Sequence, residues 1–228
     1  MPAARPAPRS VSMPVADSRA EAASYTLLRR LAPSMRHHLV VNLQPIGMIY
    51  EVMGRRLQAP EPDLAGVNES ARKINGFARA ALNSCLDVVT WLAPEEEMLA
   101  TAAEGVRECL SLLATSLTFR GYTLRNEVPA LAGEVRRCAM RNVLTASIIH
   151  ATDENAPPAE LLLSAQASPA ALLMSLALRQ TQGDEGFSPE ACYRRLEWTD
   201  VEALAAAENV ELKRDGNRVE LAIPWATA

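Results

Sequence analysis

Apolar residues recur at steps of three and four along the first quarter of the chain. This spacing places them on one face of an amphipathic helix, which is predicted to run from Ser18 to about Leu57. The positions concerned are Tyr25, Leu28, Leu31, Met35, Leu39, Leu43, Ile46, Ile49 and Met53.

A short segment with two prolines, between residues 58 and 64, separates this helix from the next. The prolines stop the first helix, and Asp63 is a suitable N-cap for a second one. The second helix is predicted from Leu64 to Ala93, where Pro94 ends it. Its apolar face consists of Leu64, Val67, Ala71, Ile74, Phe77, Ala81, Cys85, Val88 and Leu92.

The two helices are predicted to form an antiparallel hairpin. Each has an apolar stripe that is too wide to be covered by a single neighbouring helix. Pairing two hairpins into a four-helix bundle buries both stripes, because the same surface is then shared by two copies of the chain. The pattern therefore predicts a homodimer.

After residue 94 the pattern changes to shorter segments, some with the helical spacing of apolar residues and some with the alternation typical of a strand. Helices are predicted for residues 98–119, 133–152 and 199–208, and strands for residues 122–128, 160–165 and 172–178. Near the end, Asp215-Gly216 supplies the turn of a β-hairpin over residues 210–223. The predicted fold class is α+β: a long helical hairpin, followed by a largely antiparallel sheet that helices cover on one face.

These patterns divide the chain into three parts. Residues 1–17 contain four prolines and no apolar period, which predicts a disordered leader. Residues 18–93 form the helical hairpin for dimerisation, and residues 94–228 form the second domain.

Composition narrows the classes of function. The net charge is −4, and no basic tract is interleaved with aromatic residues, so nucleic acid is not an expected partner. No run of apolar residues is long enough to span a membrane, and the expected location is the cytoplasm. The four cysteines are far apart and show no metal-binding spacing, so no metal site is expected.

The first helix carries the segment Met35-Arg36-His37-His38-Leu39-Val40-Val41-Asn42-Leu43-Gln44-Pro45-Ile46. It resembles the H-box of bacterial histidine kinases, in which a helical histidine precedes apolar residues at set offsets. Aligning His37 with the phosphoacceptor puts Leu39, Leu43 and Ile46 at those offsets, whereas starting from His38 shifts them by one residue. The order of elements over residues 20–225 also resembles the hairpin and the ATP-binding α/β sandwich of that family. His37 is therefore the predicted phosphoacceptor, with His38 as the alternative.

The chain departs from that family at the residues that serve ATP. The family has a carboxylate directly after the phosphoacceptor, where this chain has His38. The helix motif with two asparagines four residues apart is matched by the segment from Asn142, which has Ala146 and His150 instead. Of the Asp-x-Gly-x-Gly loop only Asp184 and Gly186 remain, and no second glycine-rich loop follows before Trp198. We therefore expect no nucleotide or other cofactor to bind.

The resemblance without the ATP residues implies a dimeric histidine phosphotransferase of a two-component phosphorelay. Such a protein carries a phosphoryl group to or from the receiver domains of response regulators, and the receiver supplies Mg²⁺. Two alternatives stay open. One is a non-catalytic pseudokinase scaffold that regulates a partner, and the other is a divergent but active histidine kinase.

Overall fold

The computed structural model describes residues 15–93, 98–183, 186–187 and 193–226, with side chains from Ser18 onward. The predicted disordered leader therefore lies largely outside the described residues. At its end, helix α1 begins at Val15, three residues before the predicted start at Ser18.

Two long helices form the predicted hairpin. Helix α1 spans Val15–Leu57 and continues through two internal prolines. Helix α2 spans Leu64–Leu92, and the Asp63 side chain accepts a hydrogen bond from the Gly66 N–H at 2.9 Å, which confirms the predicted N-cap.

The described residues after α2 form seven strands and further helices. The strands are β1 (Leu99–Thr101), β2 (Tyr122–Glu127), β3 (Glu134–Arg136), β4 (Ala159–Ala167), β5 (Ala171–Gln180), β6 (Glu211–Asp215) and β7 (Arg218–Pro224). The helices are α3 (Ala102–Phe119), α4 (Arg137–Ala139), α5 (Thr145–Glu154) and α6 (Trp198–Ala207), and a π-helical turn (Met140–Leu144) joins α4 to α5.

Five strands form one sheet in the order β2-β4-β5-β7-β6, in which only the β2–β4 pair is parallel. Along β5 buried and half-exposed residues alternate, as expected for a sheet with one face in the core. The fold class is therefore confirmed as α+β with a mostly antiparallel sheet.

Two predicted helix boundaries were wrong. The helices predicted for residues 98–119 and 133–152 both begin with a short strand, because Leu99–Thr101 and Glu134–Arg136 pair with each other in an antiparallel two-stranded sheet. A Thr101–Glu104 capping box then starts α3. Strands of three residues are too short to show a period of their own.

The N-terminal half of α1 belongs to the core of the second domain. The side chains of Ala23, Leu27, Leu31 and Met35 are at most 6% exposed and join one apolar cluster with α3, α5, α6 and the inner face of the sheet. The C-terminal half of α1 leaves this core and packs on α2. The helix that carries the histidines is thus shared by the hairpin and the second domain.

Candidate functional site

The two histidines of α1 point in different directions. His37 is exposed, whereas His38 is half-buried and lines a small cavity of about 60 Å³. Their ring centroids are 6.3 Å apart. A partner protein therefore has access to the His37 ring, and the cavity beside His38 is too small for more than a few waters.

The contacts between α1 and α2 define two flanks of the hairpin. Asn42 Nδ2 donates to Ser84 Oγ at 3.2 Å, and Arg56 NH1 donates to Ser70 Oγ at 3.2 Å, in the same register. In a pair of antiparallel helices, the residue directly after such a contact lies on the same side of the pair in both helices. The residue directly before it lies on the other side. Leu43 therefore shares a flank with Cys85.

The flank that carries Leu43 is apolar and uncovered, and we call it the apolar flank. Seven of its large residues are 47–64% exposed. They are Val40, Leu43, Tyr50 and Leu57 of α1, and Leu82, Val89 and Leu92 of α2. On this flank Gly47 and Gly54 of α1 have no neighbouring atom near the Cβ position, so another helix has room to approach closely.

His37 lies on the opposite flank, which we call the histidine flank. Helical spacing places it on one line with Arg30, Ser34 and Val41 of α1. Continuing the register from the Asn42–Ser84 contact puts residue 89 of α2 opposite His37, and its neighbour Thr90 points to the histidine flank. The surface around His37 thus stays open if the apolar flank is covered.

A charged network connects the end of α2 to the second domain. Glu108 of α3 accepts hydrogen bonds from Arg137 Nε at 3.0 Å and from Arg141 Nε at 2.8 Å. Arg141 also donates from NH1 to Thr90 Oγ1 at 3.0 Å, and its guanidinium stacks 5.0 Å from the centre of the Trp91 ring. Arg141 is only 4% exposed, so it connects the two parts of the fold from within.

The carboxyl of Glu108 has a pKa below its ordinary value of 4.5. Burial works to raise this pKa, but the hydrogen bonds from Arg137 and Arg141 outweigh it. Since the folded protein lowers the pKa, Glu108 contributes stability above pH 4.5, and this stability is lost as the pH falls through the lowered value.

Substitution Glu108→Gln is therefore expected to destabilise the protein at neutral pH and to have a smaller effect in acid. Thermal unfolding of the wild type and the variant from about pH 7 to about pH 3 measures this difference. Glu69→Gln is the control, because Glu69 is exposed and pairs with Lys73 on its own helix. A difference in melting temperature between the wild type and Glu108→Gln that stays constant over this pH range would contradict the lowered pKa of Glu108.

A second charged cluster joins α1 to α5. Arg30 donates from NH1 and NH2 to the two carboxylate oxygens of Asp153 at 2.8 and 2.7 Å. The Leu196 N–H also donates to Asp153 at 3.2 Å, and Arg120 NH2 lies 3.6 Å from it. The side chain of Asp153 is 6% exposed, so these donors replace the water that its charge would otherwise bind.

The helix face that aligns with the two-asparagine motif is covered by the chain's own residues. Asn142 donates to Glu208 at 2.8 Å, and Ala146 is fully buried. His150 is 2% exposed, with Nδ1 lying 2.8 Å from the Leu196 carbonyl oxygen. Its Nε2 lies 3.3 Å from an Arg214 guanidinium nitrogen and 3.4 Å from a carboxylate oxygen of Glu154.

The other residues named from the sequence, as far as the structure describes them, form no further site. Asp184 and Cys192 lie outside the described residues. Gly186 has a φ of +64°, and its Cα packs against the backbone of Gly121. Burial raises the pKa of Cys109 to about 12, so its thiol stays protonated. In the described part of the chain, no group of three or more His, Cys, Asp or Glu side chains is placed to hold a metal ion.

Sequence reasoning named His37 and His38 as candidates but did not name Glu108, Arg141 or Asp153. Arg141 had a visible signal, because it is the one charge in the apolar run from Cys138 to Leu144. A charge in such a run is buried only if it is paired. The partners themselves are too distant in the sequence to be named from it.

In the described residues, no helix is both long and apolar enough to cross a membrane. No protein-family model matches the chain, and no curated protein matches it.

Several solved structures are similar in fold. A histidine kinase from Burkholderia phymatum is 15% identical, with 95% of this chain and 100% of that chain covered and a TM-score of 0.43. A bacterial phosphotransferase is 10% identical, with 93% and 98% covered and a TM-score of 0.40. The histidine kinase ThkA, in complex with the response regulator protein TrrA, is 14% identical, with 96% and 68% covered and a TM-score of 0.43.

These identities and TM-scores are low, so no role of those proteins carries over to this chain. The chain is similar in its order of elements to histidine kinases and to a phosphotransferase.

Proposed function

We propose that this protein is a histidine phosphotransferase that exchanges a phosphoryl group with receiver domains of response regulators. One observation carries the proposal: the His37 ring is exposed on a helix flank that faces away from the apolar flank. A histidine in this place can receive a phosphoryl group from a second protein while the hairpin is dimerised.

The reaction uses a neutral imidazole as nucleophile. A ring nitrogen of His37 attacks the phosphorus of an aspartyl phosphate on the receiver. The N–P bond forms while the bond from phosphorus to the acyl oxygen breaks, and its electron pair goes to the aspartate, which leaves as a carboxylate. The reverse step returns the phosphoryl group to an aspartate of another receiver, and Mg²⁺ is held by the receiver in both directions.

The proposal includes no use of ATP by this chain. The α5 face that aligns with the nucleotide motif is covered by Glu208, Leu196 and Arg214, which bond to Asn142 and His150. A nucleotide at that face would have to displace buried, hydrogen-bonded groups, which costs free energy. A transfer protein of this kind differs from an active kinase in that it takes its phosphoryl group from a receiver and not from ATP.

The proposal also includes a homodimer formed through the apolar flank. Exposed large apolar residues that continue over two helices are typical of an interface. Covering this flank with a second hairpin gives a four-helix bundle, in which His37 remains at the surface of the histidine flank.

Leu43→Asp is expected to convert the dimer to a monomer, because it would bury an unpaired carboxylate between the hairpins. Met48→Asp is the matched control, since Met48 is as exposed but lies on the histidine flank. Light scattering measures both masses. A wild-type monomer, or a Leu43→Asp dimer, would overturn the proposed interface.

A pseudokinase scaffold is the second candidate, and one observation favours it. Among the described side chains, none forms a hydrogen bond with the His37 ring, so nothing in this state orients it as the family's carboxylate would. In a scaffold the histidine would be incidental, and partner binding would not depend on it.

The test is to incubate the protein with receiver domains that carry a radioactive aspartyl phosphate, and separately with labelled Mg-ATP. The proposal predicts acid-labile label on the protein from at least one receiver and none from ATP. Label from ATP would indicate a kinase. Binding of receivers without any label would indicate the scaffold.

A further inference from the structure

From the contacts around the end of α2, we infer that Arg141 is a positioning residue that holds the His37-bearing part of the hairpin against the second domain. This inference deepens the proposed function and rests on it. It assigns Arg141 a role in the rate of phosphoryl transfer that its neighbour Arg137 does not have.

Thr90 of α2 lies at the level of the proposed phosphoacceptor. The register of the hairpin places residue 89 opposite His37, and Thr90 points to the histidine flank. The hydroxyl of Thr90 accepts a hydrogen bond from Arg141 NH1 at 3.0 Å. The second domain therefore reaches the hairpin at the level of the proposed phosphoacceptor.

The cavity beside His38 is lined by residues of both the hairpin and the second domain. Its lining includes His38 and Met35 from α1, Trp91 from α2, and Glu108 and Arg141 from the second domain. The turn of α1 that carries both histidines thus meets the same charged network that holds the end of α2. A displacement of Arg141 changes two walls of this cavity at once.

The backbone that carries Arg141 departs from the regular α-helix. A π-helical turn, Met140–Leu144, interrupts the helix there, and Met140 packs against Gly105 of α3, where a Cβ would meet its Cγ at 2.4 Å. A π-helical turn shifts the direction of the side chains that follow from it. With this packing, Arg141 is held so that its guanidinium reaches Glu108, Thr90 and the face of Trp91 together.

Arg137 is a matched comparison within the same network. It makes two hydrogen bonds to Glu108, at 3.0 and 2.5 Å, as well as a contact to Met98, and none of these partners lies on the hairpin. Arg137 therefore shares the Glu108 carboxylate with Arg141, but within the described residues it makes no hydrogen bond to α2, and its tie to that helix is the longer-range attraction of Asp87. Removal of either arginine leaves Glu108 paired with the other.

The experiment compares Arg141→Met, Arg141→Lys, Thr90→Val and Arg137→Met with the wild type, using a receiver that labels the wild-type protein. Arg141→Met is expected to lower the transfer rate at saturating receiver by about tenfold, because a small misplacement of a reacting group lowers the rate strongly. Arg141→Lys should recover part of this loss, and Thr90→Val should show an intermediate loss. The receiver concentration at half-saturation should stay unchanged in all of them.

Arg137→Met should keep the wild-type rate at saturation, even if it lowers the melting temperature as much as Arg141→Met does. Equal rate losses in the two arginine variants would overturn the inference, as would a change in half-saturation alone. NMR of the His37 ring needs no receiver and separates this inference from the proposed function. Its signals should shift in Arg141→Met and stay in place in Arg137→Met, and unchanged signals in both would overturn the positioning role.

Discussion

His37→Gln is expected to abolish the transfer of label from phosphorylated receivers. Glutamine fills a similar volume, but the lone pair of its amide nitrogen is delocalised and cannot attack phosphorus. His37 is exposed and makes no hydrogen bond in the described part of the chain, so the substitution should leave stability and dimerisation unchanged. Label should fall to background in a protein that is otherwise intact.

The matched control is His38→Gln, which should keep most of the label. The half-buried His38 ring lines the small cavity at the junction with the second domain and is less accessible to a receiver than the exposed His37 ring. Label that persists in His37→Gln and disappears in His38→Gln would exchange the roles of the two residues. Label that persists in both single variants and in the double variant would show that neither histidine is the phosphoacceptor.

Asp153→Ala is expected to have the largest effect on stability. It would leave the guanidinium groups of Arg30 and Arg120 without their carboxylate, and the Leu196 N–H without its acceptor. Breaking a buried ion pair by removing one partner costs about 3–5 kcal/mol in the free energy of unfolding. Because Arg30 lies on α1, the N-terminal half of that helix should also loosen from the second domain.

Chemical denaturation measures the loss of stability, and hydrogen exchange of α1 amides measures the loosening. Arg30→Met is the control, because it leaves Asp153 with Arg120 and the Leu196 N–H and should cost less. A loss of less than about 1 kcal/mol in Asp153→Ala would show that the pair behaves like an exposed salt bridge. The attachment of α1 would then rest on apolar packing alone.

Local signals in the sequence were sufficient for much of the fold. The apolar period identified α1 and α2, Asp63 marked the start of α2, and Asp215-Gly216 marked the turn between β6 and β7. Each of these signals lies within the element that it predicts. The strands β1 and β3 were missed because their pairing joins residues that are far apart, and each is only three residues long.

The candidate site could be predicted only in part, for the same reason. His37 follows from spacing within one helix. The partners of Arg141 are 33 residues away at Glu108 and 51 residues away at Thr90, and the partner of Asp153 is 123 residues away at Arg30. No local pattern contains these pairs.

The return of the phosphoryl group from this protein to a second receiver tests the central claim most directly. The protein is labelled by one receiver, purified, and mixed with an unphosphorylated receiver in the presence of Mg²⁺. A phosphotransferase should lose its label while the second receiver gains an aspartyl phosphate in equal amount. Release of the label only as inorganic phosphate, with none on any receiver, would contradict a role in phosphotransfer.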